Sequence, residues 1–402
     1  DPEARSFYGY KAVEVLTPIA KKIIAAYYGK PAERSYGVGC SNGGRHAFVA
    51  AARLASEYDG LLAGAPGFNL PKAAVQHAHD VQSFKAVNGD IRTALSREDM
   101  SLVADGIRAA CDAKDGLADG MVLDTKACQA AFDIASLQCK EGQNSACLAP
   151  EKVAALQKIH AGPKNSKGEQ LYSDWAWDTG IGGGNWRFWK LESPIPPWDK
   201  MPVIAVMGAG SLAHVFTTPP TTIEGSPAAL EKFLLDFDFD SDAPKIYAKE
   251  GPFAESAMDF MTPPDAADPK LADFNAAGGK MIVFHGVSDP VFSANDTRNW
   301  YEKLSANNGG SAADFVSYYP VPGMTHCSGG PATDDFDLFT TLVDWVEKGV
   351  EPGPVEAALS PDNKDVPADW PKSRTRKLCP APQVARYQGG DAEKAESFAC
   401  AP

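Results

Sequence analysis

The stretch RSYGVGCSNGGRHAFVAAARLA, residues 34 to 55, constrains this chain more than any other. Tyr36, Val38 and Cys40 alternate as one face of a short strand, and Ala47, Ala50, Ala51 and Leu54 follow at helical spacing. Ser41 therefore falls at the turn between a strand and a helix. Such a turn is sharp and brings backbones together, which explains glycines two before and two after the serine and Gly44 beyond them. Ser41 is expected at the turn tip with its hydroxyl exposed. G-x-S-x-G by itself also arises by chance in glycine-rich turns, so the rest of the chain has to carry the reading.

Taken in order, residues 9 to 28 place Val13, Leu16, Ile19, Ile23, Ile24 and Tyr27 at helical period, with Thr17-Pro18 as a kink or second start. The serine turn and its helix follow, then Leu61-Leu62-Ala63-Gly64-Ala65, an apolar run of the kind buried parallel strands show. Strand, helix and strand indicate an α/β architecture. The rhythm is lost from about 68 to 270, where cysteine loops, three glycines at 182 to 184 and prolines at 194 to 197 suggest an irregular, disulfide-stapled insertion. It resumes with Lys280–Gly286, a strand ending at a turn that carries Asp289. A helix near 293 to 305, a strand Phe315–Tyr319 leading to Gly323-Met324-Thr325-His326-Cys327, and a last helix to Gly349 complete it. The Pro-rich remainder is expected on the surface. Three regions result: 1–67 and 271–402 as the two parts of an α/β core, and 68–270 as a lid domain.

With 38 Lys and Arg against 52 Asp and Glu, the net charge of −14 disfavours nucleic acid and anionic membrane as partners. A small-molecule ligand fits better. No apolar run approaches the ~18 residues of a membrane span. The chain opens on Asp1 with no signal peptide, as a soluble, already processed protein would. Eight cysteines without a C-x-x-C motif fit disulfides made in an oxidising compartment, secreted or periplasmic, better than zinc. Cys111 and Cys128 bracket one loop, Cys139 and Cys147 another, and Cys379 and Cys400 staple the tail. Cys40 and Cys327 remain, and a bridge between them would join loops 287 positions apart.

Ser41, Asp289 and His326 each lie just past an expected strand, in the order that α/β hydrolases use. A serine hydroxyl becomes nucleophilic when an imidazole takes its proton, and the imidazole needs a buried carboxylate to fix its tautomer. Asp334, Asp335 and Asp337 are rival acids, but they follow His326 and open a helix, where capping is the ordinary role. His77 and His79 have no metal-ligand company, and His285 is read as a structural histidine at a strand end.

Gly-Cys-Ser-Asn-Gly-Gly-Arg at 39 to 45, Gly-Val-Ser-Asp-Pro at 286 to 290 and His-Cys-Ser-Gly-Gly at 326 to 330 resemble the tannase and feruloyl esterase family, and the likeness covers nearly the whole chain. The resemblance implies an α/β-hydrolase fold with a large inserted lid. It also implies a triad of Ser41, Asp289 and His326, an oxyanion donor at the Asn42 N–H, and a disulfide between Cys40 and Cys327. It implies a structural calcium ion in the lid, held by the side chains of Asp112, Asp115 and Asp119 with the carbonyls of Leu117 and Met121. Three carboxylates crowding one glycine-bearing turn suit such a hard cation, although the spacing is not that of an EF-hand. The family places several strands before its serine, whereas one helix and one strand fit before Ser41. The front of the sheet, with one oxyanion donor, is therefore expected from an N-terminal segment of the gene product that is not in this chain.

The expected activity is hydrolysis of esters of aromatic acids, such as feruloyl esters, through an acyl-enzyme. Galloyl and terephthalate monoesters are alternatives, and a non-catalytic, calcium-stabilised binding protein is the rival of another class. Five of the eight tryptophans, at 175, 177, 186, 189 and 198, fall in one lid stretch with Phe188. Most are expected in the lid's core, with one or two reaching a substrate. Asn295-Asp296-Thr297 has the form of a glycosylation acceptor in a eukaryotic source.

Overall fold

A computed structural model of the protein describes residues 1–143 and 145–402. Strands β1 (Tyr36–Cys40), β2 (Gly60–Gly64), β3 (Lys280–Gly286) and β4 (Val316–Val321) form an all-parallel sheet in the order β1-β2-β3-β4. Parallel neighbours need crossovers, supplied by the helix Asn42–Arg53 between β1 and β2 and by Ala294–Asn307 between β3 and β4. β2, β3 and β4 are covered on both sides and read as largely continuous apolar runs. Leu61, Met281, Val283 and Tyr318 pack with Phe48 and Trp300 on one face, and Leu62, Ile282 and Tyr319 pack with Leu342 and Trp345 on the other.

β1 is an edge. Among the described residues it pairs with β2 alone, and Val38 is 60% exposed. Beside it in sequence, the helix Ala12–Tyr28 runs through Pro18 without a second start and buries none of its residues. Leu16, Ile19, Ile23 and Tyr27 form an exposed stripe along it. An amphipathic helix is stabilised by covering its apolar face, and the described residues do not cover this one.

Between β2 and β3 the chain builds a separate helical core, whose buried members all lie between Ala74 and Met261. The expected irregularity is corrected here, because helices Leu70–Asn88, Arg97–Cys111, Pro150–Ala161, Val203–Ser211 and Pro227–Asp236 carry it. Their period was hard to see for a physical reason. Leu70–Asn88 is buried nearly all round, including Gln76, His77, His79 and Asp80, so it shows no polar face. Lys190 closes the buried set, with its ammonium 2.6 Å from Asp80 Oδ2 and 4.1 Å from the Trp175 ring centroid.

The C-terminal region also departs from the surface tail expected. β5 (Val355–Ala358) pairs with β6 (Thr375–Leu378), and β7 (Val384–Tyr387) with β8 (Phe398–Ala401), both antiparallel. Trp370, Leu378 and Phe398 are buried there, the first and last against Met121 and Leu123. The prolines sit outside the short strands, where a missing N–H costs no ladder bond. No helix is long and apolar enough to cross a membrane among the described residues.

Candidate active site

β1 ends at Cys40, and Ser41 takes φ +61° and ψ −120° before the helix begins at Asn42. Positive φ is strained for a non-glycine residue and is kept only where surrounding structure dictates it. The close packing around the turn does so. A Cβ on Gly39 would lie 2.6 Å from the Gly43 carbonyl carbon, and one on Gly44 would lie 2.3 Å from Gly64 O at the end of β2. The strand-to-helix turn thus presents Ser41 at the carboxyl edge of the sheet.

Asp289 follows β3 and His326 follows β4, so three loops meet at that same edge. His326 Nδ1 lies 2.8 Å from Asp289 Oδ2 and His326 Nε2 lies 2.8 Å from Ser41 Oγ. A carboxylate only accepts, so Nδ1 carries the proton and Nε2 is left to accept from the Ser41 hydroxyl. Asp289 Oδ1 accepts from the N–H groups of Val291 and Phe292, at 2.7 and 3.1 Å. Burial pushes the Asp289 carboxyl up, but the imidazoles of His326 and His285 outweigh it and hold the group well below the usual carboxylate range.

His285 is a functional neighbour that the sequence reading treated as structural. Its Nε2 lies 3.2 Å from Asp289 Oδ2 and 3.1 Å from Phe292 O, both acceptors, so the Nε2–H donates to them. Nδ1, 2.9 Å from Thr297 Oγ1, is then the acceptor of the threonine hydroxyl. Asp289 is therefore approached by two imidazoles. The same contacts overturn the glycosylation reading, since Asn295 and Thr297 are both buried.

Arg45, the last residue of the Gly-Cys-Ser-Asn-Gly-Gly-Arg motif, anchors the serine turn. Its Nε donates to Asn42 Oδ1 at 2.7 Å, and Nη1 donates to the carbonyls of Gly9 and Met261, at 2.8 and 3.0 Å. This fully buried guanidinium ties the serine turn to the N-terminal helix and the helical region, and burial lowers it to about 10, still charged at neutral pH. The Asn42 N–H sits at the first helical position, where no intrahelical acceptor exists, beside Ser41.

All four cysteine pairings are formed: Cys40–Cys327, Cys111–Cys128, Cys139–Cys147 and Cys379–Cys400. The first ties the residue before Ser41 to the residue after His326. Cys327 also has positive φ, +65°, so both ends of the bridge flank constrained backbone. Trp189 of the helical region and Phe292 of the acid loop stand edge-on to the His326 ring, at 5.2 and 5.4 Å between centroids. Of the five clustered tryptophans, Trp175 and Trp186 are core, and Trp189 is the one against the imidazole.

The rival residues are occupied elsewhere. Asp337 caps the helix Leu338–Lys348, Asp334 accepts from Gly329 N–H and Asn363, and Asp335 pairs through its backbone with Ala358. His77 and His79 lie inside the helical core, where burial lowers both to about 3.

In the acidic turn, the carboxylates of Asp112, Asp115 and Asp119 receive backbone N–H groups of residues 117, 119, 120, 121 and 123. Asp119 is paired with Arg376, and Asp115 is 2% exposed with neutral donors alone. Burial pushes Asp115 up to about 7, with the charges of Asp119 and Asp112 adding to it. No group of three or more His, Cys, Asp or Glu side chains converges into a ready metal cage among the described residues. The donors are nevertheless hard oxygens carrying more negative charge than Arg376 balances, a set that fits calcium completed by carbonyls.

A sequence model of tannase and feruloyl esterase matches residues 1–401. The chain is 42% identical to mono(2-hydroxyethyl) terephthalate hydrolase of Piscinibacter sakaiensis over 427 residues, covering 100% of this chain and 69% of that protein. It is 27% identical to a probable feruloyl esterase of Arthroderma benhamiae, covering 98% of this chain and 68% of that one. Among solved structures, feruloyl esterase B from Aspergillus oryzae superposes with a TM-score of 0.75 at 21% identity, covering 98% of this chain and 74% of that chain. Tannin acyl hydrolase from Aspergillus niger superposes with a TM-score of 0.68 at 20% identity, covering 100% and 71%. These two likenesses establish the α/β-hydrolase fold, and the family match with the 42% relative establishes more: the chain belongs to the tannase and feruloyl esterase family and is a carboxylic ester hydrolase.

Proposed function

We propose that the protein is a serine esterase acting on esters of aromatic carboxylic acids. The observation that carries the reading is the unbroken hydrogen-bond chain from Ser41 Oγ through His326 to Asp289, with Trp189 and Phe292 edge-on to the imidazole. Ser41 Oγ attacks the ester carbonyl carbon while His326 Nε2 takes its proton. Asp289 stabilises the imidazolium without itself taking the proton. The carbonyl oxygen gains negative charge, which the Asn42 N–H stabilises. His326 then returns the proton to the leaving alkoxide, and water repeats the sequence on the acyl-enzyme. The two rings supply an apolar wall at the acyl side, and an aromatic acid gains more from it than acetate does. A non-catalytic binding protein would have no need of this alignment.

The relatives' names support feruloyl and terephthalate esters as the substrates, and galloyl esters are the further alternative that the sequence motifs raise. A panel of methyl ferulate, methyl gallate and mono(2-hydroxyethyl) terephthalate tests this. At least one should show kcat/KM well above that of an aliphatic ester of similar size, and equal rates across all would remove the aromatic assignment.

Three further parts belong to the same reading. Calcium, bound by Asp112, Asp115 and Asp119 with the carbonyls of Leu117 and Met121, neutralises the acidic turn and has no part in the ester chemistry. A further polypeptide segment of the gene product pairs along β1, covers Leu16, Ile19, Ile23 and Tyr27, and brings the second oxyanion donor. Its support is the exposed edge together with the apolar stripe. The four disulfides support a secreted or periplasmic location.

A further inference from the structure

Asp178 lies in the helical region, far in sequence from the three triad loops, yet it touches two of them. Its Oδ2 accepts from the Ser288 hydroxyl at 2.8 Å and from the Gly323 N–H at 2.7 Å. Ser288 is the residue before Asp289, and Gly323 stands three before His326. Asp178 Oδ1 accepts from the Thr179 N–H at 2.9 Å, which opens the short turn Thr179–Gly182. That turn returns to the same point, since the Gly180 N–H donates to Ser288 Oγ at 2.9 Å. The fit is close. A Cβ on Gly180 would lie 2.5 Å from the Ser288 side chain and 2.7 Å from Gly323 O.

Such a buried carboxylate is costly to keep, and Asp178 is 2% exposed. Burial pushes it up to about 6, opposed by the hydrogen bonds from Gly323, Ser288 and Thr179. An apolar side chain would fill the space more cheaply, so retaining a carboxylate needs a reason in its contacts. The sheet edge offers one. Cys40–Cys327 ties the Ser41 and His326 loops covalently, but no bridge reaches the acid loop. Asp289 must nonetheless stay 2.8 Å from His326 Nδ1, and a displacement of about 1 Å in such a relay can lower the rate about 100-fold.

We propose that Asp178 is a positioning residue that fastens the acid loop and the histidine loop to each other through one carboxylate oxygen, so that the helical region holds the Asp289–His326 pair in register. The inference rests on the catalytic roles assigned above to those two residues.

Asp178→Ala tests it. The shortened side chain offers no acceptor to Ser288 or Gly323, so both arms of the clamp are lost. The variant should lose about tenfold in kcat on p-nitrophenyl acetate, with KM within about twofold of wild type, because the proton relay and not the binding wall is disturbed. Asp178→Asn, whose single amide oxygen can accept from both Ser288 and Gly323 and gives up the Thr179 contact, should recover most of that loss. Ser288→Ala, which removes one arm and no charge, should lose kcat by a smaller factor than Asp178→Ala. The double variant should be no worse than the product of the two and closer to Asp178→Ala alone, since both changes break one contact. A folded Asp178→Ala with kcat within twofold of wild type, or with the loss confined to KM, would overturn the proposal. Should that variant be insoluble, a soluble Ser288→Ala decides, and unchanged kcat there counts against it. A wild-type protein with no hydrolysis at all would contradict the esterase reading itself, a different result from an active wild type with an indifferent Asp178.

Discussion

Ser41 and His326 are 285 positions apart in sequence and 2.8 Å apart in space, whereas Asp112 and Asp119 are seven positions apart and share a single turn. Topology makes the first site. Three parallel strands deliver three loops to one edge, and Cys40–Cys327, Arg45 and Asp178 fasten those loops to one another and to the helical region. The acidic turn closes on itself, through backbone N–H groups to its own carboxylates and through Cys111–Cys128, and the C-terminal region then packs on it, with Arg376 and Arg374 both reaching Asp119. Long-range restraints govern reaction geometry at the sheet edge, and local charge balance governs stability in the turn.

The strongest way to break that division is at the relay itself. Ser41→Ala and His326→Ala should each lower kcat by about 10⁴-fold or more, and the double variant should be hardly worse, because the residues act as one unit. Steady-state kinetics with active-site titration reads this, and a Ser41→Ala enzyme with near wild-type kcat would remove the assignment. Next in size, Cys40→Ala with Cys327→Ala should lower kcat about 100-fold with little change in KM. It should also cost about 5 kcal/mol of stability by loop-closure entropy, read by chemical denaturation below the melting range. A folded double variant with undiminished kcat would show that noncovalent contacts alone hold the edge.

In the acidic turn the expectation reverses. Arg376→Ala leaves Asp119 buried without its cation and should cost about 3 kcal/mol or more, while kcat at a permissive temperature stays within about twofold. Removing calcium with a chelator should lower Tm by several degrees and leave kcat unchanged, because an ion bound only to the folded state stabilises by mass action. Elemental analysis that found no metal, with Tm indifferent to chelator, would end the calcium proposal. A fall in kcat without a fall in Tm would break the comparison from the other side.

The smallest effect is in acid. Asp289 is held below its ordinary value, so it contributes stability above the unfolded carboxylate value of about 3.9 that is lost as pH falls through its depressed folded value. Asp289→Asn should therefore flatten the decline of stability below about pH 4, in a denaturation series taken against pH. A decline as steep as that of wild type would show that other carboxylates dominate.

Much of the sheet was legible because its signals are local. Lys280–Gly286 was bounded correctly by its apolar run, and the convergence of Ser41, Asp289 and His326 at one edge followed from their places just past strands. The helical region was less legible, because burial on nearly all sides of Leu70–Asn88 erased the polar face that marks a helix. The C-terminal ladders were hidden by prolines that lie between short strands. His285, Arg45 and Asp178 were missed for another reason. Arg45 and Asp178 act through contacts with residues distant in sequence, and nothing near Asp178 points to Ser288 or Gly323, whereas His285, only four positions from Asp289, meets that carboxylate because the loop after β3 folds back on the strand end. Placement past a strand marks a residue that reacts, whereas the residues that hold it appear only once the chain is folded.

The central claim is that Ser41 is the nucleophile of an ester hydrolase whose relay is assembled by three loops. Labelling with a serine-directed phosphonate, followed by intact mass and peptide mapping, tests it most directly. One label per chain is expected, on Ser41, with activity lost in proportion to labelling and no label on the His326→Ala variant on the same timescale. A label on another serine that abolishes activity, or full activity with Ser41 blocked, would contradict it.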